Sequence, residues 1–168
     1  VARNFCHGKA SLFYPSIDVF PRIDTIGKSE SLIVGMEFPL IWAFEGMALC
    51  QGYSILPIAR SITLIFGIIL LISVYLLTNL ASGNDQALYA VSIFSTSPIF
   101  IYYGQSIQSD VPALALMLFG MYCLLNSFSH NKYSNREIIF FSLFIFCTTM
   151  ALLLKLNTAF LGIPIAVM

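Results

Sequence analysis

The stretch ARSITLIFGIILLISVYLL, residues 59–77, decides the fold class of this chain. It contains a single charged residue, Arg60, which stands near its beginning. A run of about 18 or more apolar residues with few charges is long enough to cross the hydrocarbon core of a bilayer as a helix. We therefore predict a membrane span over about residues 56–78.

The whole chain has the composition of a membrane protein. Of its 168 residues, 58% are hydrophobic and 10% are charged, and the mean hydropathy is +0.87. Soluble domains carry about 25% charged residues, and a soluble fold of this length must expose much of its surface to water. The formal net charge is zero and no basic stripe is present, which argues against a nucleic-acid partner.

Further apolar runs follow the first span. They predict spans over about 87–104, 111–128 and 138–155, and another span begins at Thr158. Together they indicate an all-α polytopic membrane protein with a single transmembrane region. The chain starts at Val1 and stops inside an apolar run, so we interpret it as part of a longer protein.

The first 52 residues have a different character. Residues 1–36 are the most polar stretch and contain Pro15 and Pro21, which predicts a long water-facing loop. Residues 37–52, EFPLIWAFEGMALCQG, are apolar but short for a span, and Glu45 and Gly46 interrupt their apolar face. We predict that they form a helix lying along the membrane surface.

The short loop SHNKYSNRE, residues 129–137, sets the predicted orientation. It carries Lys132 and Arg136, and short basic loops stay on the cytoplasmic side. Counting spans backwards places the link 104–110 and the long first loop outside. Charged groups beside apolar spans are costly, so the acids on this outer face are candidate functional residues.

Each charged candidate also has a structural interpretation. Asp110 precedes Val111 and Pro112, as expected of a helix N-cap, and Glu37 precedes Pro39, as expected of an acid favoured by the helix dipole. Lys155 follows an apolar run, where the default role is to reach toward the interface. At the outer end of its span it could instead meet an anionic headgroup.

The four cysteines show no CxxC spacing and no histidine at metal-ligand spacing. Cys50, Cys123 and Cys147 lie in apolar stretches, where cysteine usually acts as a small hydrophobic residue. No conclusion about the redox compartment follows from them.

Several stretches, taken in order, resemble a known family. They are ARNF at 2–5, LFYPSID at 12–18, EFPL at 37–40, ARSITLIFGIILLISVYLL at 59–77, SPIFIYYGQSIQSDVPALAL at 97–116 and LLLKLNTAFLGIPI at 152–165. Their order and spacing are similar to those of membrane glycosyltransferases of the GT-C fold. The nearest group is the dolichyl-phosphate-mannose-protein mannosyltransferase-like and aminoarabinose-transferase-like enzymes.

The resemblance implies a GT-C-like transmembrane helix bundle with a long extracytoplasmic first loop. It also implies transfer of a sugar, a hexose or a pentose, from a polyprenyl-phosphate carrier to a lipid, glycan or protein acceptor. Such an enzyme is a multi-pass protein of the plasma (inner) membrane, in contact with membrane lipids, with its active site outside. The family's main catalytic acid lies upstream of Val1, so this stretch alone is expected to be inactive and poorly stable.

The resemblance carries specific roles onto matching positions. Asp110 and Glu37 match acids of the catalytic cavity, and Glu37 is the position at which relatives bind a metal or substrate, so a divalent metal is the one cofactor implied. Apart from these matches, Arg3, Arg22 and Lys28 lie on the predicted outer side, where cations could stabilise the leaving phosphate, and Lys155 could bind an anionic headgroup. Relatives read Tyr-Pro-Arg-Ile-Asp where this chain has Ser16 after Pro15, and the stretch ending in Asp24 is the substitute for that motif.

Two other classes of protein fit a chain of apolar spans. A transporter usually places polar or broken segments at the bilayer midplane, whereas the predicted spans here are apolar at their centres apart from small residues such as Ser73 and Thr148. A non-catalytic membrane subunit would not need an acid-rich outer loop. Both remain alternatives to the glycosyltransferase.

Overall fold

The computed structural model describes residues 2–8, 16–18, 31–33, 38–128, 135–156 and 158. The elements of this part of the chain are α1 (Ala2–Cys6), β1 (Ser16–Asp18), β2 (Ser31–Ile33), α2 (Leu40–Cys50), α3 (Ile55–Ser82), α4 (Asn84–Thr96), α5 (Pro98–Gln105), α6 (Asp110–Phe128) and α7 (Asn135–Leu154). The chain divides into two compact units, Val1–Ala59 and Arg60–Met168. The all-α class is confirmed, and the two short strands are a minor addition within the predicted first loop.

The first unit is built from α1, α2 and the strand pair. β1 and β2 pair antiparallel, with Ser16 opposite Ile33 and Asp18 opposite Ser31. Helix α2 lies within the predicted 37–52 helix, and its position at the membrane surface stays a prediction.

A glycine and a disulfide join α1 to α2. A Cβ added to Gly46 would lie 2.7 Å from both the Ala2 carbonyl oxygen and the Phe5 Cβ, so only glycine permits this approach. Cys6 and Cys50 form a disulfide with their Cα atoms 5.2 Å apart. The interpretation of Cys50 as a plain hydrophobic residue was therefore wrong. A helix of five residues is not stable alone in water, so α1 depends on these two contacts.

Helix α3 is apolar around its circumference. Leu64, Ile65, Ile68 and Ile72 are exposed, Leu64 at 60%, whereas Leu70 is buried against α6. A run of exposed isoleucine and leucine suits contact with lipid tails, because the hydrocarbon core is as apolar as these side chains. At about 1.5 Å per residue the 28-residue helix is roughly 42 Å long, enough to span a bilayer with a tilt.

The predicted span 87–104 is divided between α4 and α5. The two helices are bent by 62° at Ser97, whose φ of −61° and ψ of 128° are extended. Pro98 explains the break, because it lacks an N–H and disfavours a helical conformation in the residue before it. Pro98 then occupies the first turn of α5, where no N–H is needed.

Helices α6 and α7 pack antiparallel along most of their length. At Gly120 of α6 an added Cβ would lie 3.4 Å from the Cys147 Cβ and 3.6 Å from the Phe144 carbonyl oxygen. Ala115, Cys123 and Ala151 are buried. Small residues let two membrane helices approach closely, which strengthens van der Waals contact where no hydrophobic effect operates.

Three helices of the described ranges are long and apolar enough to cross a membrane. They are α3, α6 and α7, and the bent pair α4–α5 makes a fourth if it counts as one span. Composition and length therefore agree with the polytopic architecture.

We expect Gly46→Ala to destabilise the α1–α2 unit by about 1–3 kcal/mol, the usual cost of overpacking a tight contact. The new methyl group would displace the backbone of Ala2. Thermal unfolding of the full-length protein in detergent, with and without reductant, measures the change. Gly104→Ala is the matched control, because a Cβ there meets nothing within 4 Å; equal effects of the two substitutions would refute this account of Gly46.

Candidate functional site

Asp110 and Lys155 form an ion pair at one end of the α6–α7 pair. Their side chains are 28% and 25% exposed, respectively, so both are half-buried. The residues are 45 positions apart in the chain, and the antiparallel packing of α6 on α7 brings them together. It is the one ion pair within the described ranges, and it joins two residues that the sequence had already singled out.

The start of α6 positions Asp110. The Ala113 N–H donates to the Ser109 carbonyl oxygen at 3.0 Å, so Ser109, not Asp110, is the N-cap, and the N-cap prediction for Asp110 was wrong. Asp110 is the first residue of the helix, where the dipole favours a carboxylate. Its side chain is then available to Lys155.

The end of α7 positions Lys155. The Lys155 N–H donates to the Ala151 carbonyl oxygen at 2.9 Å, and the Thr158 hydroxyl donates to the Lys155 carbonyl oxygen at 2.7 Å. A second, longer bond joins the same hydroxyl to the Ala151 carbonyl oxygen at 3.3 Å. The Thr158 N–H also donates to the Lys155 carbonyl oxygen, at 3.1 Å, so Thr158 holds the backbone that carries the ammonium group.

The ion pair opens onto a groove of about 430 Å³. Its lining is apolar apart from the ion pair, Ser97 and Tyr103; the full set is Leu70, Phe94, Ser97, Ile99, Phe100, Tyr103, Asp110, Val111, Leu114 and Lys155. The break between α4 and α5 supplies one wall, because it turns Phe94 and Phe100 toward each other with ring centroids 5.1 Å apart. The described lining of the site therefore combines an apolar wall with one acidic side chain, Asp110, and one basic side chain, Lys155.

Of the remaining predicted site residues, the structure describes Arg3 alone. Arg3 is exposed in the last turn of α1, within the first unit. Arg22, Asp24 and Glu37 lie outside the described residues, so their predicted roles stay predictions. Among the residues that the structure does describe, no group of three or more histidine, cysteine, aspartate or glutamate side chains could hold a metal ion.

Glu45 is a candidate that the sequence analysis did not single out. It lies in the middle of α2, its side chain is 0% exposed, and neither carboxylate oxygen has a hydrogen-bond partner within the described residues. Burial raises the pKa of Glu45 to about 7, since a low-dielectric surrounding disfavours the charged form. A lone acid inside an otherwise apolar 11-residue helix was the signal, and it was treated only as an interruption of the apolar face.

Comparison with known proteins now places the chain in a class. Residues 56–168 match the model of the dolichyl-phosphate-mannose-protein mannosyltransferase family. The match covers two thirds of the chain, which belongs to this family of polytopic membrane glycosyltransferases. Neither the curated proteins nor the solved structures contain a match to it. The family resemblance seen in the sequence is thereby confirmed, and the chain is an integral membrane protein.

The buried carboxyl of Glu45 makes stability depend on pH. Its folded pKa lies above the ordinary value of 4.5, so the folded state binds the proton more tightly, and stability falls as the pH rises from about 4.5 to about 7. We expect Glu45→Gln to raise stability at pH 8 by up to about 3 kcal/mol and to change it little at pH 5.

Thermal unfolding of the full-length protein in detergent at the two pH values measures this difference. Asp85→Asn is the control, because Asp85 is an exposed acid in the first turn of α4. A stabilisation by Glu45→Gln of the same size at pH 5 and pH 8 would contradict the assignment.

Proposed function

We propose that this chain is part of a membrane glycosyltransferase that moves a sugar from a polyprenyl-phosphate donor to an acceptor hydroxyl on the extracytoplasmic face. The observation that carries the proposal is the apolar groove that holds the Asp110–Lys155 pair, in a chain of the mannosyltransferase family. The sugar is a hexose or a pentose, and the acceptor is a lipid, a glycan or a protein.

The groove suits a lipid-linked donor by its chemistry. The apolar wall formed by Leu70, Phe94, Phe100 and Leu114 offers a lipid chain a surface that resembles the bilayer. Lys155 supplies a cation for the phosphate, and Asp110 supplies a carboxylate for the acceptor. A reaction at this position lets the carrier keep its tail in the membrane.

The proposed reaction is a single displacement at the sugar. The acceptor oxygen forms a bond to the anomeric carbon, and the bond from that carbon to the phosphate oxygen breaks with its electron pair going to the phosphate. The acceptor proton passes to a carboxylate, for which Asp110 is our candidate base, with Glu37 as the second acid of the site. The transition state has oxocarbenium character, so the chief electrostatic demand is the charge that grows on the leaving phosphate.

Two observations favour an extracytoplasmic site. Helix α6 ends at Phe128 and α7 begins at Asn135, so the predicted basic loop lies at this end of the two helices and the Asp110–Lys155 pair at the opposite end. The Cys6–Cys50 disulfide suits an oxidising compartment, since cytosolic thiols are kept reduced. Placement in the plasma (inner) membrane is part of the same proposal.

The other predicted site residues complete the proposal. Arg3 and Arg22 would bind the donor phosphate, Asp24 the substrate, and Glu37 a divalent metal. The metal would supply positive charge at the leaving phosphate, and loss of transfer in a chelator, restored by added metal, tests that part separately.

Substitution of the two acids tests the function itself. We expect Asp110→Asn and Glu37→Gln each to lower transfer at least about tenfold, or about 1.4 kcal/mol of barrier, because each removes a carboxylate of the site. The assay uses full-length protein in lipid, radiolabelled polyprenyl-phosphate sugars and a membrane extract as acceptor. Asp85→Asn, an exposed acid of α4, is the control and should retain wild-type transfer.

A negative result in this assay, followed by a transport assay, distinguishes the glycosyltransferase from a transporter and from a non-catalytic subunit. Absence of transfer from every donor, with the protein folded and inserted, would contradict the proposal. Uptake of solute into vesicles would then indicate the transporter, and absence of both activities the non-catalytic subunit.

The redox state of Cys6 and Cys50 tests the sidedness. We expect peptide mapping of protein from intact cells, alkylated before any reductant is added, to find these two cysteines linked to each other. Cys123 and Cys147 are buried free thiols and should be alkylated after denaturation, which makes them internal controls. Reduced Cys6 and Cys50 in such cells would favour a cytoplasmic first unit instead.

A further inference from the structure

We propose that Lys155 exchanges partners during the reaction, leaving the Asp110 carboxylate for the phosphate of the bound lipid donor. In the donor-free protein the ammonium group neutralises Asp110; with the donor bound it contacts phosphate, and Asp110 becomes free to accept the acceptor's proton. The inference rests on the proposed function of this site and adds a positioning role for Lys155.

The geometry supports an exchange because the described lining of the groove offers one cation for two anions, the Asp110 carboxylate and the donor phosphate. Among the described residues that line the groove, Lys155 is the single base and Asp110 the single acid. Arg60 is not among them, and Arg136 lies at the far end of α7, with its guanidinium carbon 5.8 Å from the centre of the Phe140 ring. Within the described lining of the groove, a phosphate therefore meets one cation, and that cation is already paired.

The pair in its resting state is a poor catalyst. The Lys155 ammonium group donates to Oδ1 of the Asp110 carboxylate, so one of the two oxygens that could take the acceptor's proton is occupied. Moving the ammonium group from Asp110 to the phosphate frees this oxygen and brings a positive charge to the donor in one step.

The exchange also favours the transition state over the bound donor. The donor phosphate is a diester with one negative charge, and cleavage leaves a monoester whose charge at neutral pH is about −1.5 to −2. The attraction of Lys155 therefore grows as the bond from sugar to phosphate breaks. An interaction that strengthens along the reaction lowers the barrier.

Both side chains are able to move. They are half-buried rather than enclosed, at 25% for Lys155 and 28% for Asp110, and lysine carries its charge on a flexible four-carbon stem. Thr158 fixes the backbone of Lys155 through its carbonyl oxygen and leaves the side chain unrestrained by that bond. The ammonium can thus change partner without a change of fold.

The test is a binding cycle that requires no turnover. Full-length wild-type protein, Asp110→Asn, Lys155→Met and the double variant are placed in nanodiscs, and their affinity for polyprenyl monophosphate is measured. We expect Asp110→Asn to bind about fivefold more tightly, because Lys155 no longer has to leave a half-buried carboxylate. We expect Lys155→Met to bind about tenfold more weakly, because the charge-assisted contact to phosphate is lost.

The double variant distinguishes exchange from simple repulsion. Without Lys155, removing the Asp110 charge relieves only the repulsion between carboxylate and phosphate. Under exchange, the gain from Asp110→Asn should therefore be larger with Lys155 present than in the Lys155→Met background. An equal gain from Asp110→Asn in both backgrounds would show repulsion alone and would overturn the inference. So would weaker or unchanged binding by a folded Asp110→Asn protein.

Two further measurements complete the test. Lys155→Arg keeps the charge and should retain both binding and the coupling to Asp110, a result that a purely structural role does not require. Phosphatidic acid at the same density should bind more weakly than polyprenyl monophosphate; equal binding would assign the groove to bulk lipid and overturn the proposal.

The outcomes separate this inference from the proposed function. Transfer that needs Asp110, without coupling between Asp110 and Lys155 in binding, would support the proposed glycosyltransferase function and refute the exchange of partners. Coupling in binding, without transfer from any donor, would overturn the catalytic role of the exchange together with the proposed function.

Discussion

The close antiparallel packing of α6 on α7 is the constraint on which the candidate site depends. Gly120 lets the two helices approach at the level of Cys147, and the small buried residues beside it continue that contact. Because the helices are antiparallel, the first residue of α6 and the residue after α7 lie at the same end. Asp110 and Lys155 meet there, each at the helix end whose dipole favours its charge. Local helix chemistry and tertiary packing therefore stabilise the same pair.

The break at Ser97 gives this ion pair its surroundings. The predicted span 87–104 is bent by 62° at Pro98 rather than straight. The bend brings Phe100 against Phe94, and the two rings form a wall of the groove. Broken helices in membranes are tolerated where they line a cavity, since freed backbone groups then find polar partners. The proline that interrupts one span thus creates space beside the charges of another.

In the first unit, a covalent link joins short elements: the described residues before α3 form helices of five and eleven residues and two three-residue strands. A disulfide closing 44 residues restricts the unfolded chain and contributes on the order of 4 kcal/mol in the chain-entropy model. This covalent link holds a five-residue helix that has no stability alone. Within the same unit the lone Glu45 is buried without a described partner, a costly arrangement that marks the residue for study.

The sequence by itself determined the membrane class, the family and the approximate position of each long helix, and it singled out Asp110 and Lys155 as candidates. These follow from hydropathy and helix length, which the bilayer thickness dictates locally. The tertiary structure alone decided that Asp110 pairs with Lys155, that Cys6 pairs with Cys50, that Ser109 caps α6, and that Glu45 is buried. Four cysteines allow three pairings, and nothing in their spacing selects one. Contacts between residues more than 40 positions apart depend on how helices pack, and packing is fixed by the whole set of facing side chains rather than by any one stretch of sequence.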